Sequence, residues 1–179
     1  RIVILLSLAR NALGIPNLPP QQVIVGLSVF LSLFIMAPTL SEMNEVGLQP
    51  LIAGEVSFTE AAEAASVPLR GFMLQYTGKG ELELFLDASQ TETPVARDDV
   101  PLVALTPAFV LSEIKSAFIL GFVIFVPFLV IELVVSAVLT SLGMMMLPPT
   151  FVSLPLKLLL FILLDGWTLI VGTLLKSYG

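Results

Sequence analysis

The chain has 179 residues, 56% of them hydrophobic, and a mean hydropathy of +1.01, a composition outside that of ordinary water-soluble domains. It contains no cysteine and no histidine, which excludes disulfides, zinc sites built on those residues, and Ser-His-Asp or Cys-His nucleophiles within one chain. Fourteen acidic residues against eight basic ones give a net charge of −6, which argues against a nucleic-acid partner.

The charge is unevenly spread. Residues 41–100 carry eleven acidic side chains against Arg70, Lys79 and Arg97, a net of −8; the remainder, with five basic and three acidic residues, stands at +2. Long apolar runs flanking an acidic segment predict an all-α fold of membrane type. We divide it into a first helical hairpin over residues 1–38, an acidic, water-facing helical insert over 39–103, and a second helical hairpin over 104–179.

Residues 1–13 are apolar, with Arg10 near their end, but thirteen residues fall short of the roughly 20 that cross a bilayer. The run opens at Arg1 without a methionine, so the first helix is expected to be a truncated part of a longer protein. Gly14, Pro16, Pro19 and Pro20 make a turn in which helix cannot continue. Residues 22–37 form a second apolar run, closed by Pro38. In the insert, Ser57-Phe58-Thr59-Glu60 has the form of a capping box. It should open an alanine-rich helix that is kinked or restarted at Pro68 and ends near Tyr76. Gly78 and Gly80 mark a turn, Leu82, Leu84, Phe85 and Leu86 supply the face of a further short helix, and residues 91–101 are expected to be irregular. An insert of about 60 residues makes a marginal core unaided, so it should lean on neighbouring copies.

Residues 102–146 exceed one straight membrane span, and Pro127 is expected to bend them. After Gly143-Met144-Met145-Met146-Leu147-Pro148-Pro149, residues 150–176 return antiparallel. Gly143 would permit close backbone approach, while Pro148 and Pro149 would stop one helix and let the next begin. Three consecutive methionines cannot share one helical face, so the loop offers unbranched, polarizable side chains in several directions. That suits either a tip filling gaps in a core or a deformable plug in a pore.

Glu113, Lys115, Glu132, Lys157 and Asp165 interrupt the apolar runs, where ionisable groups pair or line a wet cavity. Glu113 and Lys115, two apart, point to different faces. Reflecting the second hairpin about Met146 sets Lys157 within a turn of Glu132, which predicts an intrachain pair. Glu113 then lacks a mate in the hairpin and is expected to face another subunit. Asp165-Gly166-Trp167 reads as a helix contact, Gly166 allowing close approach and Trp167 needing a partner for its N–H, with a proton relay at Asp165 as the alternative. Arg1 and Arg10 precede the second run, and basic loops prefer the cytoplasm. This places the turn at 14–20 and the methionine loop on the cytoplasmic side and the insert outside.

The stretches LSEIKSAF (111–118), LGMMMLPP (142–149), SLPLKLLLF (153–161) and DGWTLIVG (165–172) together resemble the FliP family, which supplies the export gate of the bacterial flagellum and, as SctR, of type III secretion systems. RIVILLSLARNALG (1–14), PPQQVIVGL (19–27) and LSLFIMAP (31–38) agree, and the resemblance is weakest over 41–100. Pro148, Pro149, Val171 and Gly172 look more like the flagellar branch. The resemblance implies a pore-forming subunit in the bacterial inner membrane at the flagellar basal body, with its insert on the periplasmic side and no cofactor. It implies several copies in a pentamer-like arrangement with FliQ-like and FliR-like gate subunits, beside FlhB-like and FlhA-like export components. Unfolded protein substrates would pass through, and by motif Met144, Met145 and Met146 would form a gasket. The chain has no P-loop, so transport would be energised elsewhere. Two alternatives stay open: an ion channel or small-solute transporter subunit, and an assembly scaffold without a gating role.

Overall fold

The computed structural model describes residues 1–15, 18–89, 99–144 and 146–179. Most of the polar stretch expected to be irregular, together with Pro16 and Met145, lies outside them. Among the described residues every regular element is helical. In chain order they are α1 (Ile2–Leu13), α2 (Gln21–Met43), a π-helical turn (Asn44–Leu48), α3 (Gln49–Ala53), α4 (Phe58–Tyr76), α5 (Lys79–Ala88), α6 (Leu102–Ser141), α7 (Pro149–Leu163) and α8 (Gly166–Lys176).

Among the described residues two helices are long and apolar enough to cross a membrane: the continuous Gln21–Ala53 and α6, with 33 and 40 residues. At 1.5 Å per residue α6 reaches about 60 Å, twice the hydrocarbon thickness of a bilayer. Pro38 does not close the second run; α2 passes through it. A proline removes one donor and crowds one carbonyl, and a long apolar helix absorbs that loss because its backbone has no better partner than itself. α4, α6 and α7 likewise run through Pro68, Pro127 and Pro155. The return arm, in contrast, is not one helix. α7 and α8 meet at 60°, and the break falls at Asp165, whose φ of 48° is left-handed.

The chain forms two compact units, Arg1–Leu31 with Ser116–Gly179, and Ser32–Lys115. In the first, α1 packs against α7 and α8, and Leu5, Leu6, Ala9, Ile170 and Leu174 are buried. α6 and α7 are linked antiparallel by side chains, Phe128 to Phe161 (ring centroids 6.3 Å) and Glu132 to Lys157. Arg1 Nη1 donates to the Ser177 carbonyl and hydroxyl at 2.9 and 2.8 Å, and its guanidinium lies 4.1 Å over the Tyr178 ring.

In the second unit the π-helical turn lies flush on α4. A β-carbon on Gly47 would sit 2.8 Å from both the Ala61 carbonyl oxygen and the Ala65 β-carbon, so only glycine fits. The capping box at the start of α4 is formed: the Ser57 N–H donates to Glu60 Oε2 at 2.8 Å, and the Glu60 N–H donates to Ser57 Oγ at 3.4 Å. The hydrogen bond from the Ser57 backbone holds the exposed Glu60 carboxyl below its ordinary range. Met73, Leu74, Val100 and Leu105 form a core, flanked by Phe72 and Phe109 at a centroid distance of 6.1 Å.

Candidate functional site

The methionine loop is built from its two feet. At the first, the Gly143 N–H donates to the Thr140 carbonyl at 3.0 Å and the Met144 N–H to the Leu139 carbonyl at 2.9 Å. With Gly143 at φ +75° this is a Schellman motif, and it is what stops α6. The proline pair therefore does not end that helix, as the sequence reading had it. Nor does Gly143 serve close approach, since no described atom outside its chain neighbours lies within 4 Å of a β-carbon placed there. The position needs a residue that adopts positive φ without steric cost. At the second foot Pro148 is extended and Pro149 opens α7 at its first position, where a missing N–H costs nothing.

Between these feet, Met144 is 47% and Met146 98% exposed, with Leu142 and Phe151 also exposed. Met145 lies outside the described residues. Met144 and Met146 thus do not fill this chain's own core, and they leave an apolar tip uncovered by the rest of the described chain.

Behind the tip sits a buried charge. Lys157 is 4% exposed, and its Nζ donates to Glu132 Oε2 at 2.6 Å. A β-carbon on Gly14 would lie 3.9 Å from the same Nζ. The ammonium therefore also borders the C-terminus of α1, whose last carbonyls carry the negative end of the helix dipole. The Glu132 side chain is one-third exposed, so its carboxylate is only partly withdrawn from its surroundings. Sequence inspection pairs Glu132 with Lys157 but gives no sign of the helix end beside them.

The other charges are placed differently. Lys115 Nζ donates to Glu81 Oε1 at 2.7 Å, and this bond holds the Glu81 carboxyl below its ordinary range. One turn earlier on α6, Ser112 Oγ accepts the Gly78 N–H at 2.9 Å, fixing the start of α5. Glu113 is 6% exposed and already engaged within the chain, so a second subunit is not needed to cover it. Glu81 lies 34 residues from Lys115, a separation that no reading confined to the hairpin reaches. Asp165 is exposed and its side chain makes no capping bond. Gly166 is buried, and a β-carbon there would overlap the Phe161 ring. Trp167 meets Phe161 edge-on at 5.4 Å, so Phe161 gathers the Asp165-Gly166-Trp167 stretch. The first unit holds Met144, Met146, Glu132, Lys157 and that stretch, while Glu113 and Lys115 belong to the second.

Residues 1–174, which include the methionine loop, the ion pair and the α7–α8 bend, match the family described as FliP family. The chain belongs to the FliP family. Among its FliP relatives, the flagellar biosynthetic protein FliP of Bacillus subtilis (strain 168) is 49% identical over 178 residues, covering 99% of this chain and 80% of the relative. Proteins of the same name from Pectobacterium carotovorum and Caulobacter vibrioides are 47% and 46% identical, covering 99% of this chain and 69% and 67% of their own length.

Proposed function

We propose that this chain is a pore-forming core subunit of the flagellar protein-export gate in the bacterial inner membrane, passing unfolded substrates past a seal made by Met144, Met145 and Met146. The observation that carries this reading is the uncovered apolar tip, Met146 above all, on feet fixed by Gly143 and Pro149. Converging thioether side chains from several copies make a hydrophobic constriction that excludes water and ions when closed. Their unbranched flexibility lets the same ring yield to polypeptides of varied sequence. The Glu132–Lys157 pair behind the tip ties the arms of the hairpin and so sets where the seal stands.

The copies assemble in a pentamer-like arrangement with FliQ-like and FliR-like subunits, next to FlhA-like and FlhB-like export components. The acidic residues 39–103 face the periplasm and the methionine loop the cytoplasmic side, in keeping with the +2 balance of the rest of the chain. Replacing all three methionines by alanine in the assembled complex tests the seal. Ion leakage across the resting membrane should rise while the complex still forms. Leakage equal to that of the unaltered protein would remove the gasket, and an ion-selective conductance without sister subunits would favour the channel alternative.

A further inference from the structure

Among the described residues Asp165 is the one non-glycine residue with positive φ, at φ 48° and ψ 57°, and it lies where α7 gives way to α8 at 60°. An L-residue enters this region at a steric cost that glycine avoids, and the aspartate makes no capping bond to offset it. The outer side of the elbow is held by main chain: the Asp165 N–H donates to the Ile162 carbonyl at 3.1 Å, and the Leu169 N–H to the Asp165 carbonyl at 3.0 Å. Its inner side is tight at one place and hollow at another. Gly166 presses on the Phe161 ring, itself edge-on to Trp167. Beside that contact lies an apolar groove of about 190 Å³, lined by Leu120, Phe128, Phe161, Ile170 and Thr173 and open along the exposed Val123 and Leu169. Apolar walls that face one another across an open groove gain dispersion contacts when they approach, and no packed side chain has to be displaced for them to do so. A bend built to be static is served by glycine at the left-handed position and by side chains packed across its flank, and this elbow has neither.

The geometry points to the α7–α8 elbow as a flexion point, with α7 pivoting at Asp165 on the Gly166–Phe161 contact while α8 moves into or away from the groove. Its meaning for gating rests on the seal reading above, because α7 carries the Pro149 foot of the methionine loop at its far end. α7 has 15 residues, about 22 Å of helix, and the Glu132–Lys157 pair couples it to α6, so a rotation of the paired arms by about 10° relative to α8 displaces that foot by about 4 Å. That is comparable to the reach of a methionine side chain, so a small flexion suffices to open or tighten a ring of tips.

The test is an electron-spin distance measurement across the elbow. Cysteines replacing the exposed Leu156 and Lys176 are spin-labelled in the full chain with any other cysteine replaced by serine, assembled in its complex and diluted with unlabelled copies. A broad distance distribution is expected. Asp165→Gly, which removes the cost of the bent backbone, should narrow it toward the short distance, and Thr173→Leu, which part-fills the groove, should shift it outward. One narrow distribution, identical in the parent and both variants, overturns the proposal. Both variants retain the bent backbone as an allowed state, and co-purification of the complex checks that each assembles. Distances that respond while the methionine substitutions leave leakage unchanged would keep the flexion and remove the seal. Unresponsive distances with raised leakage would do the reverse.

Discussion

Replacing Glu132 by leucine would strand the Lys157 ammonium in a buried position with its counter-charge gone. Breaking a buried pair in this way costs about 3–5 kcal/mol. The C-terminus of α1 beside Nζ keeps some compensating negative potential, worth up to about 2 kcal/mol in partly buried geometry, which sets the expectation near the low end. Lys157→Met should cost less, about 1–2 kcal/mol, because the carboxylate left behind is one-third exposed and can find other donors. The double variant, two apolar side chains of similar volume, should fall near the parent. For a chain of this size each kcal/mol moves the melting temperature by about 2–4 °C, so Glu132→Leu should lower it by roughly 6–12 °C. Thermal unfolding of the purified complex, followed by the fluorescence of Trp167 against the Phe161 ring, reads all four corners of the cycle. Single-variant costs that simply add in the double variant, or a Glu132→Leu no worse than Lys157→Met, would refute the reasoning.

Gly47→Ala forces a β-carbon against the Ala61 carbonyl and Ala65, neither of which is a flexible side-chain end. The overpacking should cost about 1–3 kcal/mol and appear as faster hydrogen exchange in the π-helical turn and α4, with α7 and α8 unaffected. Gly143→Ala should cost about 1 kcal/mol through its left-handed φ, and Gly143→Asn clearly less; limited proteolysis of the loop compares them. For Glu81 the sign follows from its depressed carboxyl pKa: the stability it adds is full above the ordinary carboxylate range and disappears as pH falls through the depressed value. Exchange protection of α5 in the parent should therefore exceed that in Lys115→Met at neutral pH and converge with it in acid. A difference that persists in acid would count against the Lys115 bond as its cause.

What was legible in the sequence was what short spacing determines. Ser57 and Glu60 are three residues apart and form their capping box, and the apolar runs become helices because periodicity and length decide them. Pro38 misleads because a proline costs a helix one donor and some crowding without having to end it. What Gly143 contributes is its positive φ, whereas its small size by itself suggests a close approach. The break at Asp165 left little trace, since an aspartate before a glycine in an apolar run also marks a buried charge or a helix contact. The partners of Lys115 and the surroundings of Lys157 depend on helices brought together from distant stretches, and no local pattern encodes that meeting.

The π-helical turn at residues 44–48 has a consequence for how this protein tolerates changes of length. A wide turn of this kind accommodates one surplus residue, and each residue of an α-helix advances the side chains by about 100°. Deleting a single position there would return the coil to ordinary pitch and leave everything downstream nearly in phase, because five residues of the wider coil turn through about the same angle as four of an α-helix, roughly 400°. A one-residue deletion that spares Gly47 should therefore be tolerated in functional descendants, whereas replacement of Gly47 should not.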